Sequence, residues 1–192
     1  MRQAVMEGSD GEVLEWLETG AADVAVLAAG PPLAGLTART LAADRMLAVL
    51  PSGHPLGVRV SVPVEELARH PFIMSSGGCE PLITALAEAA GASLKCHYRV
   101  RETGTILAMV AEGLGVSVVP ELSLPAQVTG VHAVPLDPAA ARTVLLTLPP
   151  DPLPTAIAFA HLATPGDDVP GRPPHRDARL SGRPASQGRP SP

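Results

Sequence analysis

Apolar residues recur along this chain in two rhythms, and the switches between them mark the elements it should form. Ser9-Asp10-Gly11-Glu12 fits a capping box: the Ser9 hydroxyl can accept from the Glu12 amide while the Glu12 carboxylate reaches back. Val13, Leu14 and Leu17 follow at helical spacing, and Gly20 supplies the stop. Residues 23–27 read as a short apolar strand, and residues 29–43 as a loose connection broken by Pro and Gly. A buried strand is predicted over 46–50, ended by Pro51, with a turn at His54-Pro55. A short helix over 64–69 and a strand over 71–74 come next.

The second half continues the alternation. Residues 80–90 predict a helix with Pro81 in its first turn and Gly91 behind it. Leu94, Cys96, Tyr98 and Val100 alternate with Lys95, His97, Arg99 and Arg101, the period of a half-exposed strand. Thr103 or Gly104 opens a helix through Ile106, Leu107, Met109 and Val110, closed by Gly113. Residues 116–119 form a strand stopped by Pro120, two more strands lie near 131–136 and 143–148, and an amphipathic helix covers 155–162. From Pro165 the pattern ends. Residues 165–192 hold seven Pro, four Gly and five Arg with almost nothing to bury, which predicts a disordered tail.

Composition narrows the class. Only Trp16, Phe72, Tyr98 and Phe159 are aromatic, so the core must be aliphatic, as in α/β proteins with buried parallel strands. Four scattered rings make no stacking platform for single-stranded nucleic acid. The formal net charge is −5, and its distribution sharpens the point. The tail carries five Arg against three Asp, leaving nine basic against sixteen acidic residues before it. A folded part that acidic lacks the electrostatic footprint of a DNA binder. Cys79 and Cys96 stand without a C-x-x-C or a His at metal spacing; two buried thiols in a reducing cytoplasm is the expectation, with a disulfide left open. No stretch reaches transmembrane length and no apolar run marks an export signal, so a cytoplasmic protein without membrane contact is expected.

Four segments carry a resemblance. They are Gly11-Glu12-Val13-Leu14-Glu15-Trp16-Leu17 with Gly20 and Asp23-Val24-Ala25-Val26; Leu47-Ala48-Val49-Leu50-Pro51 with His54-Pro55-Leu56; Val64-Glu65-Glu66-Leu67 leading to Pro71-Phe72-Ile73; and the run from Met109-Val110-Ala111-Glu112-Gly113 through Leu114-Gly115-Val116-Ser117-Val118-Val119-Pro120. In this order and spacing, residues 3 to about 163 resemble the effector-sensing domain of LysR-type bacterial transcription regulators. The resemblance implies an α/β, two-lobed sensor fold similar to type II periplasmic binding proteins, with a small effector in the cleft. Lobe one would be residues 1–43 plus 143–163, and lobe two residues 47–133. It further implies that the first lobe is incomplete, wanting a strand between those at 3–6 and 24–27. DNA contact would belong to a missing N-terminal helix-turn-helix domain, and homo-oligomers to the full-length protein.

Candidate chemistry follows the rule that ligands in open parallel sheets lie beyond the carboxyl ends of strands, where helix N-termini present free N–H groups. Ser75, Ser76 and Gly77 follow the strand over 71–74, and Thr103, Gly104 and Thr105 follow that over 94–101. Hydroxyls beside helix N-termini suit a small anion such as a carboxylate. The plainer reading makes Ser76 and Thr103 helix N-caps. No nucleophile-and-base pair, metal spacing or nucleotide loop is present: no enzyme, cofactor or metal is expected. A transport-type solute-binding protein of the same fold is the alternative, and an enzyme on the same lobes a further one.

Overall fold

One 15-residue strand, β2 (Thr37–Pro51), organises the molecule, because its two ends pair with different partners. The structure, a computed structural model, describes residues 4–30, 33 and 35–163; the tail predicted over 165–192 lies outside these. The first half of β2 pairs antiparallel with β8 (Ala141–Leu148), from Thr37 opposite Leu148 to Arg45 opposite Ala141. The far side of β8 carries β1 (Ala25–Ala28), also antiparallel. The second half of β2 lies between β6 (Val116–Pro120) and β7 (Val131–Asp137). Beyond β6 come β4 (Phe72–Ser75) and β5 (Cys96–Val100), both parallel, while the two-residue β3 (Val62–Pro63) lies beside β7.

This arrangement explains the burial. Met46 to Leu50 are all buried, because this stretch of β2 is flanked by strands on both edges and covered on both faces. Met46, Ala48 and Leu50 point to one side, with Phe72, Val116 and Ile83 of α3 (Glu80–Ala89). Val49 points to the other with Ile73 and Val119, beneath Ile106 and Val110 of α4 (Thr103–Ala111). Strand alternation by twos makes two cores from one run. Around β1 and β8 the layers are thinner. Leu146 and Leu148 pack on Ala156 and Ala160 of α5 (Pro154–Ala163). Leu17 of α1 (Asp10–Glu18) packs with Ala25 and Leu27.

Local signals behave as their chemistry requires. The Ser9–Glu12 capping box is complete. Helix α4 ends in a Schellman motif, with Gly113 N–H on Val110 O and Leu114 N–H on Met109 O, and Gly113 at φ +74° where a side chain would be strained. The turn at His54 is a single 3-10 turn, Pro55–Val58, in which His54 Nδ1 accepts from the Leu56 amide at 3.2 Å. The short helix expected over 64–69 is α2 (Val64–Leu67).

Four expectations about local elements need correction. Residues 37–43 are strand, not loose connection: Thr37 to Thr40 are all exposed and show no alternation, and only pairing with β8 orders them. No strand forms over residues 4–9, so the strand expected at 3–6 has no counterpart there. β5 is an edge strand, and Cys96 through Arg99 are exposed on both faces rather than alternately. For the same reason Cys96 is exposed; of the two free thiols only Cys79 is buried. The parallel strands expected of an α/β protein are β4, β5 and β6, and they sit in a mixed sheet because β2 and β8 run as long antiparallel crossings.

Candidate functional site: a recess where the halves of the sheet meet

A recess of about 390 Å³ opens where these crossings meet α1 and α3. Asp10 contributes from the start of α1, and Ala28, Ala29 and Gly30 from the end of β1. Gly78, Cys79, Pro81 and Leu82 contribute from the loop and first turn leading into α3, and Arg142 from β8. The walls are therefore mostly small or apolar, with one acid and one guanidinium among them. That is the usual constitution of a small-molecule pocket.

The guanidinium is held from behind. Arg142 stands opposite Asp44 in the β2–β8 ladder and donates Nε and Nη2 to its carboxylate at 3.0 and 3.1 Å. The side chains are 16% and 3% exposed, and the Leu122 amide adds a third hydrogen bond to Asp44 at 2.9 Å. Nη1 is left facing Cys79 Sγ at 3.9 Å, a weak acceptor. Burial pushes the Cys79 thiol above its ordinary range, against the opposing pull of Arg142, so it is a neutral wall group.

Asp10 differs in kind: it makes no hydrogen bond or ion pair among the described residues. Its position is fixed by the capping box beside it and by close contact with the opposite loop. A Cβ at Gly78 would lie 3.3 Å from Asp10 Oδ1, and Gly78 takes φ +87°. Two residues on, Glu12 spans the same gap, meeting Arg101 at 3.5 Å. The Ser9 hydroxyl and then its amide, more than Arg101, hold the Glu12 carboxyl below its ordinary value.

The six residues singled out in the sequence sit beside this recess without lining it. Ser75 pairs with Val100, the Ser76 amide donates to Val100 O at 3.0 Å, and a Cβ at Gly77 would meet Arg101 O at 2.9 Å. Thr103, Gly104 and Thr105 form the first turn of α4 next door, with Ser75 buried and Gly104 and Thr105 exposed. The two loops do come together, at the C-terminal ends of β4 and β5. Neither Ser76 nor Thr103 is a cap: the N-caps are Cys79 for α3 and Glu102 for α4, neither with a side-chain hydrogen bond. In the sequence Asp10 reads only as part of the capping box, and Arg142 carries no local signal.

Comparison with known proteins places this geometry. The model of the LysR substrate-binding domain matches residues 2–164. The uncharacterized HTH-type transcriptional regulator YvbU of Bacillus subtilis (strain 168) is 33% identical over 145 residues, covering 74% of this chain and 49% of its own. The chain thus spans about half the length of that relative. Among solved structures, the C-terminal domain of a probable LysR family transcriptional regulator from Rhodococcus sp. RHA1 superposes with a TM-score of 0.75 at 23% identity, over 82% of this chain and 81% of that one. The effector-binding domain of QuiR in complex with shikimate superposes with a TM-score of 0.73 at 20% identity, over 81% and 77%. Both share the fold.

Proposed function

The chain belongs to the LysR substrate-binding domain family, and from that premise we propose that it senses a small, carboxylate-bearing metabolite in the recess at Arg142 and thereby controls DNA binding by a full-length, oligomeric, cytoplasmic transcription regulator. It performs no chemistry on the ligand; its action is differential affinity between two arrangements of the domain.

One observation carries the reading: the recess takes its walls from both halves of the sheet. Asp10 and Ala28 to Gly30 belong with β1, Gly78 to Leu82 with β4 and α3, and Arg142 sits at the junction. We assign residues 1–43 and 143–163 to one lobe and 47–133 to the other, with β2 and β8 crossing between them. A ligand touching both lobes binds most tightly to one mutual arrangement, and that preference is what moves an attached DNA-binding domain. The loops at Ser75 to Gly77 and Thr103 to Thr105 supply outer contacts through the hydroxyls of Ser76, Thr103 and Thr105 and the amides that open α4. The carboxylate specificity accords with the shikimate bound by a domain of the same fold.

The test is a thermal-shift screen of small organic acids followed by calorimetric titration, on the chain and on Leu82→Trp. A metabolite that binds the chain and is excluded by the indole supports the reading. Undiminished binding to Leu82→Trp places the ligand elsewhere and overturns it.

A further inference from the structure

The charges around the recess do not suit a simple anion. Asp10 and Asp44 bring two negative charges and Arg142 one positive, so the cluster is net negative before any ligand arrives. Asp44 is spent: it is buried beneath the Arg142 fork and the Leu122 amide. Asp10 is not spent, and nothing cationic among the described residues pairs with it. A bare carboxylate entering this space gains the Nη1 edge of Arg142 but meets the Asp10 charge undiluted.

The helix ends separate the two polarities further. Helix α1 begins at the recess with its capping box complete and Asp10 in its first turn, so this end offers anions nothing. Helix α3 begins there with no side chain capping it. Since Pro81 has no N–H, the amides of Glu80 and Leu82 are the donors left at this end, just after the Cys79 that the Nη1 edge of Arg142 faces. One wall is therefore an acceptor of positive charge and the other a donor to negative charge. The Asp10 carboxylate adjoins Gly78 and the Arg142 guanidinium adjoins Cys79. These are consecutive residues, with Cα atoms about 3.8 Å apart, so opposite charges on one small molecule reach both. The rest of the lining includes Ala28, Ala29, Pro81 and Leu82, which suit a short apolar side chain.

We infer that the effector is a zwitterion of the amino acid class, its ammonium on Asp10 and its carboxylate on Arg142 and the start of α3. This rests on the proposed sensing role and sharpens it. Desolvated pairing at both ends makes the doubly charged molecule a better ligand than either of its halves, since a ligand lacking one group leaves its partner in the wall unpaired.

The experiment uses the whole chain with the twenty proteinogenic amino acids as probes, read by thermal shift and then by calorimetry. For leucine, the matched halves are 4-methylpentanoate and 3-methylbutylamine; corresponding halves are taken for whichever amino acid binds. The expected result is that at least one amino acid binds and that each half binds at least 10-fold more weakly. Asp10→Asn should cost at least 10-fold in affinity while leaving the melting temperature nearly unchanged, because Ser9 and Glu12 still cap α1. Arg142→Lys, which keeps a cation against Asp44, should weaken the amino acid and the carboxylate half alike. A carboxylate half that binds as tightly as its amino acid overturns the zwitterion, as does full affinity in Asp10→Asn or the failure of every amino acid. If an acid without an amine binds and Leu82→Trp excludes it, the recess stands as the sensing site and only the zwitterion falls.

Discussion

Asp44 and Arg142 lie 98 positions apart in the chain, yet face each other in the β2–β8 ladder as a bidentate, nearly dry ion pair at 3.0 and 3.1 Å. The pair occupies the point where β2 leaves one set of partners for the next, and its outer edge forms part of the recess. A buried pair of this kind adds little net stability over apolar residues of the same shape, but a lone survivor is costly. Asp44→Ala should destabilise by about 3–5 kcal/mol, leaving Arg142 without a carboxylate and with only the weak Cys79 sulfur as acceptor, and the Leu122 amide with none. Asp44→Asn, which still offers the Leu122 amide an oxygen, should cost less. The double change Asp44→Leu with Arg142→Met should recover most of the loss. Urea denaturation of the unaltered chain and these three variants checks the order, and a double variant no more stable than Asp44→Ala would mean that the pair is not coupled.

Two glycines should respond in opposite directions to the same substitution. A Cβ on Gly115 would lie 2.5 Å from the Pro71 carbonyl oxygen, where strand β6 passes the start of β4, and backbone cannot give way cheaply. Gly115→Ala should destabilise by about 1–3 kcal/mol through overpacking. Gly104, in the first turn of α4, has nothing within 4 Å of its Cβ position and no positive φ. Gly104→Ala should stabilise by about 0.5–1 kcal/mol, from helix propensity and a less flexible unfolded chain. Thermal melts of the two variants test the contrast.

His54 should lend the fold a modest acid sensitivity. Its pKa is lowered from the ordinary 6.5, first by burial and then by His70, whose ring meets it edge-on at a centroid distance of 4.6 Å. Its Nδ1 also accepts from the Leu56 amide, which an imidazolium cannot do. The unfolded chain therefore binds a proton that the folded chain resists, and stability rises with pH between the depressed value and 6.5. Acidification through that window should lower the melting temperature of the chain more than that of His54→Asn, which keeps a capping acceptor but does not titrate. Identical pH profiles would assign the sensitivity to other groups.

Thr147 lies fully buried in β8, between Ala25 and Ala38, and its hydroxyl finds no partner among the described residues. An unpaired buried hydroxyl costs about 1–3 kcal/mol. Thr147→Val keeps the shape, removes the polar atom and suits a strand, so it should stabilise the fold by about 1 kcal/mol. Chemical denaturation measures this, and a loss of stability would reveal a partner for the hydroxyl.

What the chain declares by itself is whatever neighbours in sequence can settle. The Ser9–Glu12 box and the Gly113 stop are built from residues a few positions apart, and their local chemistry is enough to place the ends of α1 and α4. The buried run Met46 to Leu50 is legible because a strand covered on both faces must be apolar throughout. Residues 37–43 were not legible, since their exposed side chains show no alternation and their order comes from backbone bonds to a strand 100 residues away. The loops at Ser75 to Gly77 and Thr103 to Thr105 could be found because strand ends and helix starts are local features. Asp10 and Arg142 could not be paired with one recess, because their meeting depends on the β2–β8 register and on where α1 settles against the loop before α3. Residue types along the chain decided which chemistry was available; which of those groups share one small volume was decided by strand pairing across long stretches of sequence, where no local preference reaches.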